Sequence, residues 1–157
     1  MSMYGDENGT GIPNVAYYDS YNPADIRIQE RVYFFSSDNK SLRNDKNESP
    51  AAKFAVKFLF KYYDQEAIKV TAQSGLNFSL YRYADILLMQ SEVNWALGIS
   101  GNDQVKGINE IRARAGLATY QPGDLDLKAI MSERAYELVW ENKMLFDMRR
   151  TRKALID

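Results

Sequence analysis

The sequence predicts a mainly α-helical fold carrying a small antiparallel β-hairpin, α+β by count. Three observations carry that prediction. Apolar and small residues recur at helical spacing from Leu80 to Gly98, at Leu80, Ala84, Leu87, Leu88, Ser91 and Trp95. Further apolar-periodic segments follow it, one closing at Gly116 and one opening beyond the Pro122–Gly123 turn. Ahead of it, two segments alternate apolar and polar residues with period two, the mark of half-buried strands.

Composition narrows the function classes. The 157 residues suit one domain over 1–157, long enough to bury about two thirds of the unfolded surface. A formal net charge of −1 removes any general electrostatic reason to bind nucleic acid or an anionic membrane. No apolar run reaches the ~18 residues a membrane-spanning helix needs, and the amino terminus is neither basic nor apolar enough for a signal peptide. Cysteine and histidine are both absent, which excludes disulfides, thiolate nucleophiles and Cys/His zinc sites. Acid–base chemistry would fall to Asp, Glu, Lys or Tyr, and neither a cofactor nor a metal is expected. Tyr, at 11 residues, outnumbers Phe at 7 and Trp at 2, which suits a wet interface or a ligand-stacking surface.

Residues 1–25 read as loop, punctuated by Gly5, Gly9, Gly11, Pro13 and Pro23. Within them, Tyr17, Tyr18 and Tyr21 form a cluster in polar surroundings. These rings could stack on the apolar C–H face of a pyranose. The simpler reading, favoured about two to one, pins them beneath the loop as a satellite cluster. Residues 26–61 hold the two expected strands. In the first, Ile26, Ile28, Val32 and Phe34 face one side and Arg27, Gln29, Arg31 and Tyr33 the other. In the second, Phe54, Val56, Phe58 and Phe60 share a face. The polar run from Ser36 to Pro50 between them has oxygens enough to suggest calcium, but no EF-hand spacing, and reads as a solvated loop. A weak helical or strand-like segment falls at Ala67–Ala72.

Residues 79–116 form a helical hairpin. Ser79 or Asn77 can accept the first free N–H groups of the Leu80–Gly98 helix, and Gly98 can take the left-handed cap. Ala84 and Ser91, two turns apart on one face, admit a close neighbour. A second helix from about Asp103 to Ala115 presents Val105, Ile108 and Ile111, with Gly116 as its cap and Leu117 as the following apolar contact. Leu80 to Arg114 is close to the ~34-residue tetratricopeptide period, and a lone unit of that kind cannot bury its own face. Residues 124–156 hold two more helices. Asp124 is the expected N-cap of the first, which runs from Leu125 to about Glu141. Asn142 breaks the chain before the second, Met144 to about Leu155.

Charged residues fall where a core should be. Arg134 sits on an apolar face between Glu133 and Glu137; Arg82 and Glu92 interrupt the first long helix; Asp147 and Arg150 are a turn apart in the last. A half-buried charge is costly by several kcal/mol in order of magnitude unless paired. The expectation is an interhelical ion-pair network of Arg82, Glu92, Glu133, Arg134, Glu137, Asp147 and Arg150. A catalytic carboxylate pair at Glu133 and Glu137, as in a glycosidase, is the disfavoured alternative.

Four blocks carry a family resemblance. Asp25-Ile26-Arg27 resembles an Asp-x-Arg entering a strand, and Leu80 to Glu92 resembles "RYAE(V/I)LLMYAEA". Ile108 to Leu117 resembles "INxVRxRAGL", and Glu133 to Leu138 with Glu141, Asn142 and Phe146 to Arg150 resembles "ERRxELxFEGxRxFDLxR". In that order they are similar to the C-terminal half of the SusD/RagB family of outer-membrane nutrient-binding lipoproteins. Asn142 stands where the family usually has Gly, Lys143 replaces the usual Arg, and Leu145 a common Trp or Phe. The family's N-terminal helical repeats, export signal and lipidated Cys have no counterpart, so a fragment or a shortened relative is expected. The resemblance implies a SusD-like fold and a non-enzymatic glycan binder on the extracellular face of a Bacteroidota-type outer membrane. It would capture oligosaccharide, or peptide in some relatives, with a SusC/RagA-like TonB-dependent transporter as partner. Membrane attachment would come only through a lipid anchor that this chain does not carry. The matched blocks are scaffold in the family; Tyr17, Tyr18 and Tyr21 are offered as ligand contacts from chemistry alone. The alternative is a tetratricopeptide-like protein-interaction adaptor with no glycan site of its own.

Overall fold

A computed structural model describes residues 15–29, 32–37, 56–59 and 79–152. The expected segment at Ala67–Ala72 and most of the Ser36–Pro50 run lie outside them. The chain divides into two compact units, residues 1–77 and 78–157, and among the described residues helix predominates over strand.

The first described element of the first unit is a short helix, α1 (Val15–Asp19), inside the stretch expected to be loop. The strand expected from Ile26 begins instead at Phe34, because Ile26–Ile28 is a 3-10 turn. The cause is local. The Asp25 carboxylate accepts from the Arg27 backbone N–H at 2.9 Å and from its guanidinium at 2.7 Å, and such side-chain bonds compete with a strand ladder. Arg27, expected to face water, is therefore buried, while Ile26 is exposed. Strands β1 (Phe34–Ser37) and β2 (Val56–Leu59) pair antiparallel, with Phe34 opposite Leu59 and Ser37 opposite Val56.

The second unit contains α2 (Tyr83–Ala96), α3 (Asn102–Arg114), α4 (Leu127–Glu137) and α5 (Met144–Thr151). The first long helix starts three residues later than its apolar pattern suggests. Leu80 is exposed, Asn77 lies outside the described residues, and Arg82 rather than Ser79 occupies the N-cap position, without a side-chain cap bond. Both hairpin helices end in Schellman caps. Ile99 N–H donates to Asn94 O and Leu117 N–H to Arg112 O, with Gly98 and Gly116 at φ +67° and +72°. The N-cap of α4 is Asp126, whose carboxylate accepts from Ala129 N–H at 2.7 Å, and Asp124 is exposed.

The core joins Ala84, Leu87 and Leu88 of α2, Val105, Ile108 and Ile111 of α3, and Ile130 and Met131 of α4 with Leu125 and Leu138. Helices α2 and α3 approach closely at Ser91 and Gly107. A Cβ on Gly107 would lie 2.4 Å from Leu87 O and 2.8 Å from Ser91 Oγ. Ser91 Oγ accepts from Ile108 N–H at 2.8 Å and donates to Leu87 O. A small residue at 91 thus serves both as clearance and as bond.

Candidate functional site

In the first unit the tyrosines close on one another. Tyr17 meets Tyr21 edge to face with centroids 5.6 Å apart, and Tyr18 and Tyr21 meet Phe34 at 5.2 and 5.8 Å. The Tyr17 and Tyr21 hydroxyls are hydrogen-bonded to each other, and Tyr18 Oη donates to Ile28 O at 3.1 Å. Tyr21 is 3% exposed; burial, reinforced by Tyr17, pushes its phenol well above the ordinary range. Its ring is a packing element, whereas Tyr17 and Tyr18 are half-buried at the edge of the cluster.

In the second unit the charged residues form a brace across four helices. Arg134 of α4 holds Asp85 of α2 through Nη1 at 3.0 Å and Asp147 of α5 through Nε at 2.8 Å. Asp147 also accepts from Arg150, which reaches back to Glu92 on α2. The Glu92 hydrogen bond is the largest influence raising the Arg150 pKa. Glu137 takes Arg82 at 2.7 Å and Arg114 at 2.5 Å, and Glu141 takes Arg82 at 2.8 Å. Glu133 is paired not with its neighbour Arg134 but with Arg112 of α3, at 2.9 Å. Five of these acids, Asp85, Glu133, Glu137, Glu141 and Asp147, are buried, so each guanidinium offsets a desolvation that would otherwise be prohibitive.

The seven residues named from the sequence thus all sit in ion pairs, and five partners were not named: Asp85, Arg112, Arg114, Glu141 and Lys143. Sequence spacing points to two of them. Asp85 and Glu92 are seven positions apart, on one stripe of α2 with buried Leu88. Glu141 continues the four-residue spacing of Glu133 and Glu137. Lys143 meets Asp85 Oδ2 at 3.1 Å, donates to Leu80 O and lies 4.1 Å over the Tyr81 ring. Around α3, Asn109 clamps the Tyr120 backbone by two bonds, and Arg112 lies 4.5 Å over the Tyr120 ring. The Tyr120 phenol is raised by its burial, which Arg112 opposes.

Such a brace defines a class, a helical-hairpin scaffold whose α2–α3 pair and two following helices are locked by buried ion pairs. The chain belongs to the SusD family, whose model matches residues 3–155. It is also similar to a solved SusD superfamily protein from Parabacteroides distasonis, with 34% identity and a TM-score of 0.71. That match covers 90% of this chain and 31% of the other, so this chain spans about a third of that relative's length. No curated protein matches the chain.

Proposed function

We propose that this chain is part of a glycan-binding protein for nutrient uptake at the outer membrane, working with a SusC-like TonB-dependent transporter. Membership of the SusD family over residues 3–155 carries this reading. Its activity is capture and not turnover. Glu133 and Glu137 are each engaged by arginine, at 2.9 Å from Arg112 and 2.7 Å from Arg82. A glycosidase instead needs one carboxyl to donate a proton while the other attacks or activates water. In this reading the brace is scaffold, and Tyr17 and Tyr18 offer ring edges and faces to the sugar while buried Tyr21 supports them from beneath.

Isothermal titration of the chain against a panel of oligosaccharides tests the proposal. Saturable heat with one glycan class, reduced in Tyr17→Ala, supports it; silence across glycans and peptides overturns it. One observation favours the adaptor reading as a second possibility. The outward side of α2 exposes Tyr83, Ile86 and Val93, with Leu97 at its C-cap, at intervals of three, seven and four residues that keep to one side of a helix. Capture of a transporter barrel in a pull-down belongs to the uptake reading, and capture of a different protein in the absence of glycan binding to the adaptor.

A further inference from the structure

A cleft of about 480 Å³ opens between the end of α4 and α5, within the second unit. Its walls are apolar, with Leu138, Val139, Trp140, Leu145, Phe146 and Met148 among them. Three of these are large and exposed: Trp140 at 37%, Leu145 at 57% and Phe146 at 66%. Scattered surface apolar residues need no explanation, but three around one concavity mark an interaction site. Trp140 is held at φ +65°, a conformation that costs a bulky residue on the order of 1–2 kcal/mol. The strain places an indole at the rim of the cleft.

Two polar observations say what would fit. Arg134, 5% exposed, also borders the cleft. Its Nε and Nη1 are committed to Asp147 and Asp85, and its Nη2 makes no hydrogen bond among the described residues, which leaves donors for an acceptor oxygen. Along α5, Arg149 and, just past its end, Arg152 are exposed, and neither has an acidic partner among the described residues. Arg149 follows Phe146 and Leu145 by three and four residues, which puts its charge on the side of α5 that carries them. We infer that the α4–α5 cleft docks a peptide segment that inserts an apolar side chain between Trp140 and Phe146 and carries acidic residues beside it. A main-chain carbonyl of that segment accepts from Arg134, and its carboxylates face Arg149 and Arg152. Electrostatic complementarity of this kind selects the partner more than it adds affinity. The inference does not depend on the glycan reading, since it uses none of the tyrosines.

The test is fluorescence anisotropy with a fluorescein-labelled acetyl-Glu-Glu-Phe-Leu-Glu-amide and its counterpart with lysine in place of glutamate. The acidic peptide is expected to bind the chain saturably below ~1 mM, and the lysine peptide at least about tenfold more weakly. Phe146→Ser and the Arg149→Glu/Arg152→Glu pair should each weaken the acidic peptide by about tenfold. All three side chains are exposed, so these variants keep the fold, and circular dichroism checks it. Equal binding of the two peptides overturns the inference, as does no binding of either. Co-sedimentation with phosphatidylglycerol vesicles is the second arm; vesicle binding without peptide binding assigns the surface to lipid and equally overturns it.

Discussion

Arg134 Nη1 lies 3.0 Å from Asp85 Oδ1, across 49 residues of chain, with both residues buried. This contact ties α4 to α2, and through Asp147 the same guanidinium ties in α5. Removing it leaves two buried carboxylates with only Lys143 and Arg150, among the described residues, to answer them. Arg134→Leu should therefore destabilise the second unit by about 3 kcal/mol, the lower end for breaking a buried pair. Urea unfolding followed by circular dichroism measures this. A loss below ~1 kcal/mol would mean that the remaining cations suffice. In a double-mutant cycle with Asp85→Asn, a coupling of about 0.5–3 kcal/mol is expected.

Glu137 separates two arginines by burial. The Arg82 side chain is 21% exposed and holds Glu137, Glu141 and the Glu137 carbonyl, whereas the Arg114 side chain is 58% exposed and, among the described residues, holds Glu137 alone. Arg114→Ala should cost less than ~1 kcal/mol, as for an exposed pair. Arg82→Ala should cost about 3 kcal/mol, because buried Glu137 and Glu141 both lose the Arg82 guanidinium. Equal midpoint shifts in thermal unfolding would contradict this ordering.

Gly107 has no room for a methyl group. The nearest atom is a backbone carbonyl, Leu87 O, which cannot rotate away as a side chain would. Gly107→Ala should lose about 1–3 kcal/mol despite alanine's better helix propensity. Ser91→Ala, which leaves the spacing intact but removes a hydroxyl bonded to Ile108 N–H and Leu87 O, should lose about 1 kcal/mol. A stabilised Gly107→Ala protein would disprove the close approach of α2 and α3.

The Tyr21 phenol, raised by burial, gives the first unit an alkaline limit. The folded state keeps its proton to higher pH than the unfolded chain, so above pH ~10 the native state binds more protons. The slope of stability with pH is then negative. The contribution is full below pH ~10 and falls as pH rises beyond it. Tyr21→Phe should flatten that decline, read from stability measured across pH 9 to 11. An unchanged alkaline slope in Tyr21→Phe would show that Tyr21 ionises as freely in the native state as in the unfolded one.

The helical half was legible because its signals are local. Apolar residues at helical spacing and Gly98 and Gly116 at left-handed caps are properties of a few consecutive residues, and the two hairpin helices close where those glycines stand. Asn142 is left-handed at φ +57°, but α4 ends at Glu137, ahead of the expected Glu141. The strand expected from Ile26 was misread for an equally local reason. Alternation over Ile26–Phe34 is silent about Asp25 bonding to its own downstream amide, and that bond bends the backbone into a turn. The start of α2 was misread because Leu80 continues the apolar period without finding anything to pack on; helix formation gained nothing there.

By itself the sequence determined the chain's helical character, its family blocks, and the fact that arginines and acids had to be paired among apolar helix faces, because an unpaired buried charge is too costly to survive. It could not determine who pairs with whom. Glu133 lies beside Arg134 in sequence yet bonds Arg112, and Arg134 instead reaches Asp85 and Asp147. Those choices depend on which helix faces come within about 3 Å of one another. That distance is fixed by packing at contacts such as Ser91 against Gly107, and only the tertiary structure supplies it.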